Sequence, residues 1–226
     1  MRILLFCFIF IFSSCSITNN VNISNETSVN IDYTSSEYFS TILEDISSFA
    51  YEEELTIEDS ILNIYYNIYN TKTAKNTSLV KTGKDSYFLT FNTNNINTLF
   101  NELAKGEQTI LKQTTNELEF CLNINNYQEL VKIIPELKDP NLEVYLAPYN
   151  IGYNQEDYLA MMEFSFSKKI RNEILNSNIV IKGKTDKEIT NIINAEKLSS
   201  QEFKVVIPLI DFLLLDQEIY FKVSYK

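Results

Sequence analysis

The chain has 226 residues, 45% of them hydrophobic, and a net charge of −11 from 19 basic and 30 acidic side chains. Such an acidic balance argues against nucleic acid as a partner and against a polybasic clamp on anionic lipid. Histidine and tryptophan are absent, which excludes Ser-His and Cys-His nucleophile pairs and His-based metal sites.

The first element is a leader. Arg2 is a short positive n-region, Ile3 to Phe12 is an unbroken apolar run, and Ser13, Ser14, Cys15 and Ser16 follow. The run is too short for a membrane-spanning helix, which needs about 20 apolar residues, but it fits a secretory h-region. Phe12-Ser13-Ser14-Cys15 resembles a relaxed, spirochaete-type lipobox, the site at which bacterial lipoproteins are acylated on cysteine and cleaved before it. Ser13 and Ser14 fit that pattern; Phe12 stands where the strict form has Leu. The resemblance implies residues 1–14 as a signal peptide and acyl chains such as palmitate on Cys15. It also implies a membrane-anchored protein of the cell envelope, periplasmic or surface-facing. Each buried methylene contributes about 0.8 kcal/mol, so two chains anchor stably where one does not. Removing Arg2 takes the net charge from −11 to −12.

Residues 15–30 are rich in Asn, Ser and Thr and read as a lipidated cysteine followed by a flexible tether, with an r.m.s. reach of roughly 20 Å. Residues 31–226 read as a single domain, with a possible subdivision near 177. Ser28 to Tyr33 is a short strand. A helix opens at Thr34 with Glu37 at capping-box spacing, its face formed by Phe39, Ile42, Leu43, Ile46 and Phe49. A second helix follows Thr56, and Thr71 to Asp85 reads as a loop.

An arrangement then recurs at an offset of 31 residues. Strand Tyr87 to Phe91, cap Asn94-Asn95 and helix face Ile96, Leu99, Phe100 and Leu103 align with strand Glu117 to Ile124, cap Asn125-Asn126 and helix face Tyr127, Leu130, Val131 and Ile134. Consecutive strand–helix units of this kind lay helices on a sheet. Leu142 to Leu146 reads as a short strand and Pro148 to Tyr153 as a loop. Asn154 caps a long helix running to about Asn176. Asn178 to Lys182, Glu188 to Ile193, Glu202 to Ile207 and Glu218 to Tyr225 read as strands with alternating faces. Ile207 to Leu215 is a buried crossing segment or a short helix, since Pro208 argues against a central strand. The expected fold class is α+β: helices on a mixed sheet, closed by a C-terminal antiparallel meander. The last third loosely resembles small bacterial lipoproteins of unknown function that end in such a meander.

Candidate sites are few. Cys121 is the lone thiol once Cys7 is cleaved off and Cys15 acylated, so no internal disulfide forms. It falls on the polar parity of its strand, open to reactivity or to inert packing. Asp211 is a carboxylate in an apolar run, either a general acid or a solvent-facing helix residue. Glu52, Glu53, Glu54, Glu58 and Asp59 lack the alternating oxygens and glycine of a calcium loop. Tyr149, Tyr153 and Tyr158 surround the Pro148 loop and are the candidate partner-binding residues, because loops on a scaffold carry binding groups. No metal and no cofactor is implied. Three functions follow in order. The first is a non-enzymatic, lipid-anchored binding or structural module. The second is a carrier or chaperone-like domain that shelters a hydrophobic ligand along Leu159, Met162 and Phe166. The third is a carboxylate enzyme.

Overall fold

The computed structural model describes residues 16–24, 26–48, 57–138 and 140–226. The expected lipobox with Cys15, and the Glu52–Glu54 cluster, lie outside the described residues.

The chain opens with a hairpin, β1 (Ser16–Ile23) and β2 (Thr27–Thr34). Helices α1 (Glu37–Ser48) and α2 (Ile57–Tyr69) follow, then β3 (Ala74–Gly83), β4 (Ser86–Thr93) and α3 (Ile96–Ala104). Next come β5 (Leu111–Gln113), β6 (Glu117–Leu122), α4 (Tyr127–Ile133), a 3-10 turn (Pro135–Lys138), α5 (Pro140–Glu143) and a second 3-10 turn (Ala147–Asn150). The C-terminal part holds α6 (Gln155–Phe166), α7 (Lys169–Asn176), β7 (Asn178–Thr185), β8 (Ile189–Ile193), β9 (Glu196–Lys197), β10 (Glu202–Pro208), α8 (Leu209–Leu214) and β11 (Ile219–Tyr225).

These strands build two sheets, so the protein is α+β. Sheet A has seven strands in the order β3-β4-β2-β1-β7-β10-β9, and sheet B four in the order β5-β6-β11-β8. Sheet A is mixed through one pairing: β1 runs parallel to β7, from Ser16↔Asn178 to Ile23↔Thr185. The C-terminal strands pair antiparallel and are shared between the sheets, β7, β10 and β9 in sheet A and β8 and β11 in sheet B.

The tether expected over residues 15–30 is corrected here. From Ser16 onward the chain is the centre of sheet A, with β1 bonded to β2 on one side and β7 on the other. The Asn-rich composition conceals a period of two. Ile17, Val21 and Ile23 share one face with Val29, Ile31 and Tyr33, and all are buried except Val21, which is half-buried against the core. Thr18, Asn20, Asn22, Asn30 and Asp32 take the opposite, wetter face. Asn19 is the polar exception inside, 5% exposed, its side-chain amide donating to the Val180 carbonyl at 3.3 Å.

Four further corrections concern local signals. The expected loop over Thr71 to Asp85 holds β3, an edge strand whose exposed lysines Lys75 and Lys81 protect an unpaired edge. The expected strand over Leu142 to Leu146 is the end of α5 and a turn. The helix expected from Asn154 to Asn176 breaks at Ser167, whose φ of 119° no helix accommodates. Ser36, not Thr34, opens α1: its hydroxyl accepts from the Phe39 amide at 3.3 Å. The run after Ile207 is the short buried helix α8, with Leu209, Phe212 and Leu213 at or below 1% exposure.

The buried apolar side chains of both sheets and the helices form one continuous core. Gly183 shows how tightly sheet A is packed. It pairs with Phe203, and a Cβ built there would lie 2.0 Å from Phe203 Cζ. Among the described residues no helix is long and apolar enough to cross a membrane.

Candidate functional site

Two concave regions and one loop are the places to look. The first is an open cleft of about 430 Å³ where the end of β10, α8, the start of β11 and the N-terminus of α6 meet. Its polar groups include Asn154, Asp211, Asp216 and Glu218. Asn154 caps α6 as its position predicts, accepting from the Asp157 amide at 3.0 Å. Partial burial alone raises the Asp211 carboxyl above its usual value. No second carboxylate contributes, whereas an acid–base dyad needs two coupled carboxyls pushed apart.

Cys121 stands near this cleft on β6. Its Sγ donates to Glu218 Oε2 at 3.2 Å, and Asn123 Nδ2 donates to the same oxygen at 3.1 Å. The thiol is half-buried, and burial, then the Glu218 contact, push its pKa up. It is held as the protonated, weakly reactive form. Among the described residues no group of three or more Cys, Asp or Glu is placed to hold a metal ion.

The second region is an apolar cavity of about 100 Å³ between the sheets. Val21, Val29 and Ile181 of sheet A face Leu118, Phe120 and Phe221 of sheet B, and α3 closes one side with Leu99 and Leu103. The residues expected to shelter a ligand are not these. Leu159 and Met162 are fully buried core, and Phe166 packs on Tyr145 with ring centroids 5.1 Å apart. They missed the cavity because its lining is drawn mainly from strands of both sheets, among them β1, which composition disguised. The alternation of Ile17, Val21 and Ile23 was the signal that would have found it.

The Tyr149–Tyr158 segment divides. Tyr149 is 56% exposed and its hydroxyl donates to Glu143 Oε1 at 2.8 Å; Tyr153 is 41% exposed. Tyr158 is a correction. It is 0% exposed, donates to the Tyr145 carbonyl at 3.0 Å, and burial pushes its pKa far up. As the fourth residue of α6 it points into the core and presents nothing to a partner. A second tyrosine group lies on α2, where Tyr65 stacks on Tyr69 at 5.7 Å and meets Tyr66 edge-on at 5.3 Å; Tyr66 and Tyr69 are exposed. The i, i+4 spacing of Tyr65 and Tyr69 puts them on one helix face.

No family model and no curated protein matches the chain. Among solved structures, the folded domain of Mycobacterium tuberculosis LppM, determined by NMR, aligns with a TM-score of 0.40 and 7% identity over 95% of this chain and 90% of that chain. That is a weak likeness and carries no argument for function.

Proposed function

We propose that this chain is a lipid-anchored protein of the bacterial cell envelope, attached through acyl chains on Cys15 and acting as a non-enzymatic binding or structural module. The observation that carries this reading is the leader: Arg2, the apolar run Ile3 to Phe12, and Phe12-Ser13-Ser14-Cys15 directly before the first strand. The uncoupled Asp211 and the protonated Cys121 thiol support a non-enzymatic role. Tyr149 and Tyr153 are the exposed loop residues proposed to meet a partner. The test is the intact mass of membrane-extracted protein beside a Cys15→Ala variant. A diacylated or triacylated chain beginning at Cys15, lost in the variant, is the expected result. An unmodified, water-soluble chain would refute the anchor.

The apolar cavity favours a second reading, a carrier for a small hydrophobic ligand. Ligand sites commonly measure about 300–1,000 Å³, and even benzene occupies cavities of about 150 Å³. At about 100 Å³, this cavity takes an acyl chain only if the sheets part. Titration with a fluorescent fatty acid tests it: saturable binding that Leu99→Trp abolishes supports the carrier, and no binding removes it.

A further inference from the structure

The loss of the tether has a mechanical consequence. Ser16 is already hydrogen-bonded sheet, paired with Asn178 of β7, and the Cα of Cys15 lies about 3.8 Å from that of Ser16. A lipid on Cys15 therefore has no spacer. We propose that the end of sheet A at Ser16 rests directly on the lipid surface, with Leu175 and Phe164 entering the headgroup layer. This rests on the reading of Cys15 as the acylated residue.

The neighbourhood of Ser16 is set by the pairing. Its row across the sheet runs through Asn178 of β7 and Pro208 of β10 on one side and the ends of β2 and β4, Thr34 and Ser86, on the other. Helix α7 ends at Asn176, one residue short of β7, and the Ser177 carbonyl between them accepts from the Leu209 amide at 3.0 Å, fixing that corner. Leu175, two residues earlier, is 41% exposed. The other end of α7, about 12 Å away by its length, is tied to the start of α1. The Tyr38 hydroxyl lies 2.8 Å from Ser167 Oγ and donates to the Phe166 carbonyl at 3.2 Å, while Lys169 Nζ sits 4.4 Å from the Tyr38 ring centroid. Tyr38 follows the end of β2 by four residues, so the α6–α7 turn belongs to the same end of the molecule as Ser16. Phe164, beside that turn, is 94% exposed. An aromatic ring left in water is unfavourable, and an interface with lipid removes that cost. The charges on the elements that meet there are paired, Lys84 with Glu37, Lys169 with Glu173 and Arg171 with Glu163, so the contact is apolar rather than electrostatic.

The chain contains no tryptophan, so a single introduced indole reports its own surroundings. The full chain is produced with its leader in a bacterial host, as Leu175→Trp, Phe164→Trp and Leu198→Trp variants. Each is reconstituted into phosphatidylethanolamine–phosphatidylglycerol vesicles whose acyl chains carry bromine near the headgroup. Leu198 is an exposed control at the opposite end. Its neighbour Glu202 pairs with Lys184, which pairs with Asn22, about 20 Å along β1 from Ser16. The proposal expects blue-shifted emission and strong bromine quenching at positions 175 and 164, unchanged by high salt, and water-like emission at 198. Equal, water-like emission at all three positions in a chain whose mass shows acylation overturns the proposal and leaves the anchor standing. An unmodified mass overturns both.

Discussion

β1 and β11 occupy equivalent places, each in the interior of its sheet with a partner on both sides. β11 buries Phe221, Val223 and Tyr225 on alternate positions, a dense apolar face. β1 puts Ile17, Asn19, Val21 and Ile23 on its inner face and Thr18, Asn20 and Asn22 outside. Ladder hydrogen bonds come from the backbone and are indifferent to side chains, so both strands form. They differ in what keeps them there. β11 carries its own apolar surface, whereas β1 depends on the neighbours that clasp it, β2 through Ile31 and Val29 and β7 through Ile179 and Ile181.

That dependence is breakable. Ile17→Ala removes a side chain with 0% exposure and is expected to cost about 4 kcal/mol, as large-to-small changes in a core do. A denaturant midpoint within error of the parent would return β1 to the status of a tether. Gly183→Ala attacks the same seam from β7. Its Cβ meets the Phe203 ring, and overpacking of this kind costs about 3 kcal/mol; a lowered midpoint with unchanged slope is the signature. Asn126→Ala probes the sheet B side. The side chain accepts from the Asn123 amide at 2.9 Å and donates to the Cys121 carbonyl at 2.9 Å. Losing both should cost about 2 kcal/mol, since the partners are left unpaired.

Smaller effects sharpen the contrast. Asp211 binds its proton more tightly folded than unfolded, so stability falls as pH rises from its unfolded pKa through its raised folded one. Asp211→Asn is expected to raise the melting temperature slightly at neutral pH and to erase that acid-side dependence in a pH series of thermal melts. Asn20→Ala, on the exposed face of β1, should change stability by less than about 0.5 kcal/mol. Set against Ile17→Ala, it shows that parity, not composition, decides which residues of β1 matter.

The strand–Asn–helix units make the same point for local signals. Asn95 caps α3 through the Thr98 amide at 3.1 Å, whereas Asn126 at the equivalent position makes no cap bond and instead fastens the loop after β6. The two strands then join different sheets. Equal local patterns led to unequal roles because each side chain settled on whichever partner the surrounding fold brought near.

Local chemistry by itself determined much of this protein. The α+β class, the caps at Asn95 and Asn154, the short helix after Ile207 and the alternation of β11 follow from periods and turn residues within a few positions. The tertiary structure alone decided that residues 16–34 are the middle of a sheet, that β3 is its edge, that Tyr158 faces inward, and that the cavity lies between two sheets rather than beneath α6. Those outcomes depend on pairings such as Ser16↔Asn178, between residues far apart in the chain, and no window of neighbouring residues contains them.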